Sequence, residues 1–364
     1  MEIIFICTKS ITFNTFLKSQ ADYFQKKGFK IKIACSDIEN LNFKNNYNYN
    51  YKIDFPNKYI HLINIFQYLK IFFQIKKLIK NNKSSIFYLH TPIASHLFRL
   101  FSLFYNLKII YFVHGFRFTS KTVFLRAIFL KFIEKILSFK TSVFITINTE
   151  DFNYARNNLF NKVPTYKING VGLDTKKINF KTMMIDKNGI TKILVIAAYK
   201  KAKGYIDLLK IAELINKKNF QIDCYGYGDY KEFKSTKIKK KLNNIVFYKF
   251  DKKLKNKIKN YDILLHLSKR EGLPVSVMEC LTEGLPVICY DIRGNNDLIK
   301  NGFNGFFVNS YKDVLNKINY LNLEKGLFNK MRHNAFNSIT KIFFKKQINQ
   351  IIFKIIKKNF KIDK

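Results

Sequence analysis

Residues 262–291 read DILLHLSKREGLPVSVMECLTEGLPVICYD, and this stretch decides the fold of the second half of the chain. It predicts an apolar strand, a loop, a helix over VSVMECLTE and a second apolar strand. Gly-Leu-Pro occurs twice, at 272–274 and 284–286. The first copy opens the helix, because proline is tolerated in a first helical turn. The second ends it, because glycine is favoured just beyond a helix C-terminus and proline bars continuation.

The same alternation of strand-like and helical stretches runs through the whole chain and is typical of parallel sheets. The sequence therefore predicts an α/β protein of two Rossmann-like, doubly wound parallel-sheet domains, residues 1–170 and 171–340. The glycines of NGVGLD (169–174) mark a hinge between them. Residues 341–364 are predicted to form a basic amphipathic helix that packs back toward the N-terminal domain. The predicted strands are 3–7, 29–35, 85–90, 108–114, 142–148, 192–198, 220–226, 244–250, 262–267 and 286–291.

Composition narrows the class of protein. With 364 residues, 47% of them apolar, the chain is long enough for two domains with cores of their own. The five cysteines are odd in number and none is spaced as Cys-x-x-Cys, which favours a reducing cytoplasm over a disulfide framework or a zinc site. The N-terminal MEIIFICTKS predicts a buried strand rather than a signal sequence. Basic residues interrupt every apolar run before the ~18 residues that a membrane-spanning helix needs.

Charge is the strongest compositional feature, since 65 Lys and Arg against 25 Asp and Glu give a net charge of +40. Between Asp54 and Glu134 lie 79 residues with twelve Lys and Arg and no carboxylate. Such a positive field predicts an anionic partner, either phospholipid headgroups or nucleic acid. Residues 65–79 either lie in a membrane interface or form a core helix with one wet edge. Their polar stripe consists of Gln67, Lys70, Gln74 and Lys77.

The carboxylates around the first Gly-Leu-Pro are the candidates for chemistry. Glu271 is predicted on the loop before the helix and Glu279 in its second turn. The first amides of this helix, such as those of Gly272, Leu273 and Val275, carry partial positive charge and suit a phosphate. Carboxylates beside them would accept hydrogen bonds from sugar hydroxyls, which favours a sugar nucleotide as ligand. Spacing alone leaves open that Glu271 merely caps the helix dipole and that Glu279 is solvated.

Several ordered motifs resemble one enzyme family. The Glu271 and Glu279 pair within REGLPVSVMECLTEGLPVICYDIRGNNDLI resembles the donor site of retaining glycosyltransferases of family four, which have the GT-B fold. VHGFRF (113–118), IEKIL, FITIN and EDF resemble the acceptor-side domain of bacterial transferases that build capsule, exopolysaccharide or O-antigen. KVPTYKINGVGLD resembles their linker, Lys203-Gly204 their phosphate-binding loop, and CYGYGDY (224–230), with Gly226 and Gly228, their glycine turn beneath the nucleotide.

The resemblance implies a role for each matching residue. Glu279 binds the ribose hydroxyls, and Glu271 contacts hydroxyls of the transferred sugar. Lys203 neutralises the diphosphate leaving group. His114 faces the donor sugar and helps to position it. His266 lies inside a predicted strand and is interpreted as a core residue, and Glu283 as a residue of the last helical turn without a chemical role.

Two departures from the family pattern concern the phosphate site. The family's arginine five residues before the loop lysine is replaced by Ala198, which leaves two alternatives. Either Lys200 or Lys201 takes its place, or the phosphate site is weaker. The first loop, CTKSITFN, lacks the usual glycines, and its Thr8 and Ser10 are expected to supply hydroxyls and amides. No metal cofactor is expected, because the chain has no Asp-x-Asp motif and its six histidines show no ligand spacing.

The sequence thus predicts a cytoplasmic glycosyltransferase bound peripherally to the inner face of the cell membrane. It would move a hexose or N-acetylhexosamine from a nucleoside diphosphate sugar, expected to be UDP-linked, to a lipid-linked saccharide with retention of configuration. Its expected partners are the donor, the acceptor and an anionic membrane surface. An epimerase with the GT-B fold, acting on UDP-sugars without an acceptor, is the enzymatic alternative. A basic nucleic-acid-binding protein is disfavoured, because the basic residues form no recognisable binding module.

Overall fold

A computed structural model describes residues 1–41, 47, 49–57, 64–160, 163–174, 189–216, 218–339 and 341–361. The chain divides into two compact units. One comprises Met1–Gly172 with Lys345–Lys364, and the other Leu173–Phe344. The sequence predicted boundaries at 170/171 and 340/341. Of the predicted linker, KVPTYKINGVGLD (162–174), only Lys162 lies outside the described residues.

The N-terminal unit is built on one parallel sheet with the strand order β3-β2-β1-β4-β5-β6-β7. The order reverses between β1 and β4, which makes the carboxyl ends of these two strands the switch point of a doubly wound sheet. The strands are β1 (Glu2–Ile6), β2 (Lys30–Cys35), β3 (Tyr49–Lys52), β4 (Ile86–Leu89), β5 (Lys108–Val113), β6 (Val143–Thr146) and β7 (Thr165–Lys167).

Helices cover both faces of this sheet, as right-handed crossovers between parallel strands require. A π-helical turn, Phe13–Leu17, joins α1 to α2. α4 packs against both α3 and α5. The helices are α1 (Ser10–Thr12), α2 (Lys18–Lys26), α3 (Ile65–Lys80), α4 (Pro92–Phe101), α5 (Phe124–Ser138) and α6 (Thr149–Asn158).

The C-terminal unit repeats the plan with the strand order β10-β9-β8-β11-β12-β13, again all parallel. Its switch point lies between β8 and β11. The strands are β8 (Thr191–Ile196), β9 (Phe220–Gly226), β10 (Ile245–Lys249), β11 (Ile263–His266), β12 (Val287–Tyr290) and β13 (Gly305–Val308). The helices are α7 (Tyr205–Leu214), α8 (Lys231–Lys239), α9 (Val275–Thr282), α10 (Tyr311–Leu323) and α11 (Lys325–Ser338).

The last helix, α12 (Lys345–Phe360), belongs to the N-terminal unit. It packs on α2, where the Asn349 side-chain amide donates to the Ser19 carbonyl at 3.1 Å. Phe353 meets the rings of Tyr23 and Phe29 edge-on. These contacts attach the end of the chain to the unit in which it begins.

The predicted fold class, an α/β protein with two doubly wound parallel sheets, is confirmed. The ten predicted strands are present, and the structure adds β3, β7 and β13. All three are edge strands of three or four residues. An edge strand has one neighbour only, so its sequence need not be a continuous apolar run, as in β3 (YNYK) and β7 (TYK). β13 reads GFFV, an apolar run of only four residues that begins with glycine.

Candidate active site

The predicted donor-site residues gather at the switch point of the second sheet. Lys203 follows β8 and Glu271 follows β11, and these two strands are hydrogen-bonded neighbours. Because carboxyl ends of parallel strands meet at one edge, the two loops lie side by side there. The Lys269 amide donates to the Ala202 carbonyl at 3.0 Å, which joins the loops directly.

Lys203 and Glu271 form a close ion pair. Lys203 Nζ donates to Glu271 Oε1 at 2.5 Å, and both side chains are largely buried. His266 Nε2 lies 3.5 Å from the same oxygen and makes no hydrogen bond among the described residues. Burial alone would raise the pKa of the Glu271 carboxyl, but His266 and Lys203 outweigh it and hold that pKa at about 2. Glu271 is therefore ionised at neutral pH. His266 is buried, as expected of a core residue, yet its ring faces this carboxylate.

Arg293 supports the loop that carries Glu271. This buried guanidinium donates through Nε to the Glu271 carbonyl at 2.9 Å. Gly294 adopts φ +83°, and a Cβ there would lie 2.3 Å from the Gly272 carbonyl oxygen. The backbone of the loop and the backbone after β12 thus pack too closely for any side chain. This support fixes where Glu271 and the following amides point.

Helix α9 begins where the sequence predicted, with Pro274 as its N-cap, and Gly284 follows its end at φ +70°. Pro274 has no side-chain oxygen to cap the helix. Within the described residues, the amides of Gly272, Leu273 and Val275 donate to no protein acceptor. They remain available for an anion beside Lys203, as the helix dipole favours.

Glu279 projects from the second turn of α9 and is partly exposed. Its Oε1 accepts a hydrogen bond from Lys255 Nζ at 2.8 Å. Burial would lower the pKa of Lys255, but Glu279 and Asp174 outweigh it and raise that pKa. Sequence reasoning missed Lys255, which lies in the short turn Leu254–Asn256 after β10. Among 65 basic residues, no local signal distinguishes it.

The predicted glycine turn follows β9 and adjoins the loop after β8. A Cβ on Gly226 would lie 2.0 Å from the Ala197 carbonyl oxygen, and Gly228 adopts φ +100°. Between them, Tyr227 stacks on Phe250 with ring centroids 3.9 Å apart. Both rings are partly open to solvent, at 55% and 40% exposure. Sequence reasoning missed this pair, because the two residues follow different strands.

The two lysines expected to replace the arginine at Ala198 differ in their surroundings. Lys201 pairs with Glu232 at 3.0 Å, and both side chains are highly exposed. Lys200 is exposed and has no ion-pair partner among the described residues. Of these two lysines, Lys200 is therefore the one whose ammonium forms no ion pair among the described residues.

The predicted His114 lies in the N-terminal unit, directly after β5. Its Nε2 is 3.2 Å from Nδ1 of His90, which follows β4 and stacks on Phe5. Burial lowers the pKa of His114 to about 4, and burial together with His114 lowers that of His90 well below its usual value. His90 Nε2 is buried and has no hydrogen-bond partner among the described residues. Both imidazoles are therefore neutral at pH 7.

The amides expected to replace the missing glycines of the first loop are already engaged. The Thr8 amide donates to Thr91 Oγ1 at 2.8 Å, and the two hydroxyl oxygens lie 2.6 Å apart. The Ser10 amide donates to Asp37 Oδ1 at 2.7 Å, and Ser10 is buried. The expectation that these amides meet a phosphate therefore has no support in the geometry. The loop is closed by side-chain hydrogen bonds where the family uses glycine.

Among the described residues, no group of three or more His, Cys, Asp or Glu side chains is arranged to hold a metal ion. A search of the same residues finds no helix with the length and apolar character needed to cross a membrane.

We expect Gly204→Ala to disrupt the site and to lower the unfolding free energy of the protein. Gly204 adopts φ +83°, and a Cβ would lie 2.3 Å from the Leu267 carbonyl oxygen, so both strain and a backbone clash oppose the substitution. The expected loss in unfolding free energy is about 1–3 kcal/mol or more. Chemical denaturation measures it. The matched control is Gly326→Ala, because Gly326 lies in α11 with no neighbour near its Cβ and alanine favours a helix. Equal stability of the two variants would contradict the packing described.

We expect the stability of the protein to fall as the pH is lowered from 7 to 5. Folded His90 and His114 keep lowered pKa values, whereas unfolded histidine titrates near 6.5. In this window the unfolded chain binds more protons, so the unfolding free energy decreases with falling pH. Tm against pH measures the slope. His114→Gln should flatten it, whereas the exposed His333→Gln should not. An unchanged slope in His114→Gln would refute the assignment.

Two family models match the chain. Residues 182–338 match the family described as Glycosyl transferases group 1, and residues 3–148 match the family described as Glycosyl transferase 4-like. The putative glycosyltransferase EpsD of Bacillus subtilis is 26% identical over 324 residues, which are 84% of this chain and 83% of that protein. The Escherichia coli UDP-Gal:alpha-D-GlcNAc-diphosphoundecaprenol alpha-1,3-galactosyltransferase is 25% identical over 305 residues, 77% of each chain.

Solved structures share the fold. Anabaena Alr3699/HepE, in complex with UDP and glucose, superposes with a TM-score of 0.76 at 14% identity and covers 98% of this chain and 100% of that chain. The fold is therefore GT-B, and the protein is a glycosyltransferase. The two family matches cover residues 3–148 and residues 182–338 of the chain.

Proposed function

We propose that the protein moves a hexose or N-acetylhexosamine from a UDP-sugar to a lipid-linked saccharide and retains the anomeric configuration. The observation that carries the proposal is the Lys203–Glu271 pair beside the free amides that open α9. A cation and unsatisfied N–H groups at one switch point suit a diphosphate, and an ionised carboxylate beside them suits a sugar hydroxyl.

Lys203 stabilises the leaving diphosphate. Breaking the glycosyl phosphate bond places negative charge on the departing oxygen, and a positioned ammonium with N–H donors favours that charge. Without donor, Glu271 holds the Lys203 ammonium in the site. With donor, Lys203 contacts phosphate, while Glu271 accepts hydrogen bonds from the sugar. The leaving diphosphate then takes the proton of the incoming hydroxyl, and no metal ion is needed.

Glu279 and the exposed aromatic pair bind the rest of the nucleotide. The Glu279 carboxylate accepts hydrogen bonds from the ribose hydroxyls, and its ion pair with Lys255 orients it. The Tyr227–Phe250 stack follows β9 and β10 at the same sheet edge and offers an open aromatic face to a base. Lys200 supplies the cation that the family's arginine would supply. His114, neutral at pH 7, hydrogen-bonds the transferred sugar rather than neutralising charge.

The acceptor and the setting are proposed from the relatives. The Escherichia coli relative is named for transfer from UDP-Gal to a sugar on diphosphoundecaprenol. Another relative, WbnH of Escherichia coli, is named an O-antigen biosynthesis glycosyltransferase. A lipid-linked acceptor of this kind places the enzyme in surface polysaccharide synthesis. It would work in the cytoplasm, peripherally bound to the inner face of the cell membrane.

A panel of UDP- and GDP-sugars tests the donor, because a bound donor raises Tm by mass action. The stabilising sugar nucleotide is then incubated with acceptor lipids, and NMR reads the anomeric configuration of the product. We expect stabilisation by a UDP-sugar and a product with the donor's configuration. An inverted product would refute retention. Conversion of the donor to its epimer without acceptor would replace the transferase by an epimerase.

A further inference from the structure

One face of α5 stays apolar and exposed although the helix is firmly packed. Six large side chains of this helix are 41 to 77% exposed. At 100° per residue they fall within a sector of roughly 140°. We call this surface the α5 apolar face; it consists of Phe124, Leu125, Ile128, Phe129, Phe132 and Ile136.

Buried charges fix the orientation of α5. Glu134, on the opposite side of the helix, is 1% exposed. It accepts hydrogen bonds from Arg99 of α4 at 2.8 Å and from His96 of α4 at 2.6 Å. These groups hold the pKa of Glu134 at about 2 against the effect of burial. Rotating α5 to hide its apolar face would break this buried cluster, which is costly. The apolar face is therefore held toward the outside.

The α5 apolar face groups six large exposed apolar side chains on one helix, whereas apolar residues on an ordinary surface are scattered singly. Three of its six side chains are phenylalanines, each able to bury about 150–250 Å². Monomeric proteins rarely expose contiguous apolar patches beyond a few hundred Å², and larger ones mark protein or membrane contacts. α3, on the other side of α4, adds the exposed Phe66, Leu69 and Phe73. We therefore expect a protein or a membrane to cover the α5 apolar face.

The charged residues around the α5 apolar face indicate which kind of partner binds it. By the same rotation, Lys131 lies at one edge of the sector with Lys135 just inside it, and Arg126 lies beyond the opposite edge; all three are exposed. Glu134, which is buried, is the one carboxylate between Asp54 and Glu150. A second copy of the chain would bring the same basic residues against their own equivalents, because a two-fold contact is isologous. An anionic bilayer instead accepts the phenylalanines among its acyl chains and the lysines among its headgroups.

We propose that α5 lies in the surface of an anionic phospholipid bilayer with its apolar face among the lipid acyl chains. The proposal deepens the peripheral membrane binding given under the proposed function and rests on it for the setting. Its evidence comes from the N-terminal unit alone and needs no statement about the donor. For residues 65–79, the sequence left open a membrane-interface segment or a core helix, and the proposal places the main membrane contact on α5 instead. α3 buries Ile71, Ile75, Leu78 and Ile79 in the core and contributes only four exposed apolar side chains, those of Ile65, Phe66, Leu69 and Phe73.

Vesicle flotation of the full chain tests the proposal. The vesicles contain phosphatidylcholine alone or equal parts of phosphatidylcholine and phosphatidylglycerol. We expect the wild type to float with the anionic vesicles and Phe129→Ser/Phe132→Ser to lose recovery about tenfold or more. Arg126→Gln/Lys135→Gln should lose most of the preference for anionic vesicles. The control Leu323→Ser removes a side chain that is 78% exposed on α10 and should float like the wild type.

Equal recovery of the wild type and the phenylalanine double variant would overturn the proposal. So would a dimer in light scattering that the double variant abolishes while neither protein floats. Circular dichroism checks that both variants are folded, which exposed positions should allow. Donor hydrolysis separates this test from the proposed function. The phenylalanine variant should keep hydrolysis and lose flotation, and Lys203→Ala should lose hydrolysis and keep flotation.

Discussion

Lys203→Ala should lower kcat for sugar transfer about 100- to 1000-fold, which is the effect of removing one positioned donor from a developing anion. The loss should appear in kcat more than in KM, because the charge on the leaving diphosphate grows toward the transition state. Steady-state kinetics with saturating acceptor measure both constants. Lys203→Arg should recover part of the activity, because it restores a cation at the Glu271 carboxylate.

Lys201→Ala is the matched control for this substitution. Lys201 lies in the same turn, two residues earlier, but its ammonium pairs with the exposed Glu232. Exposed pairs of this kind contribute about 0–1 kcal/mol, so this variant should be nearly as active and as stable as the wild type. Similar losses in both variants would show that general basicity, and not the position of Lys203, matters.

Glu279→Ala should raise the KM for the donor about tenfold or more. A hydrogen bond to a charged group contributes about 1.5–3 kcal/mol, and loss of the carboxylate also leaves Lys255 without its close partner. Because the ribose does not react, the effect should fall on binding rather than on kcat. Initial rates over a range of donor concentrations separate the two.

Glu283→Ala is the control for Glu279, since Glu283 follows α9 at its C-terminal end and away from the free amides. Its KM should match that of the wild type. A deoxyribose donor gives a second reading, because the wild type should lose affinity for it while Glu279→Ala should not. A donor KM unchanged in Glu279→Ala would exclude Glu279 from the nucleotide site.

The sequence predicted those strands that are buried on both faces and missed some of those at edges. β11 and β12 are continuous apolar runs, ILLH and VICY, between glycine, proline and charged residues. β3 reads YNYK and β7 reads TYK, and such polar and aromatic residues do not form an apolar run. The exposed face of α5 was not foreseen either. From the sequence alone, an apolar helix is predicted to lie in the core, because the positions of its neighbours are not known.

In the site too, features that depend on sequence neighbours could be predicted, and contacts between residues far apart in the sequence could not. The loop, the start of α9 and the glycine positions depend on neighbours in the sequence, so Gly204, Glu271 and the α9 amides could be named in advance. Lys255 reaches Glu279 from another strand connection, and Arg293 reaches the Glu271 carbonyl from beyond β12. Pairings across such separations depend on strand order and register, which periodicity does not give.

Isothermal titration calorimetry of UDP tests whether the diphosphate lies between Lys203 and the amides that open α9, with Glu279 on the ribose. We expect UDP to bind the wild type, Lys201→Ala and Glu283→Ala with similar Kd, and to bind Lys203→Ala and Glu279→Ala about tenfold or more weakly. The same Kd in all five proteins would contradict this placement.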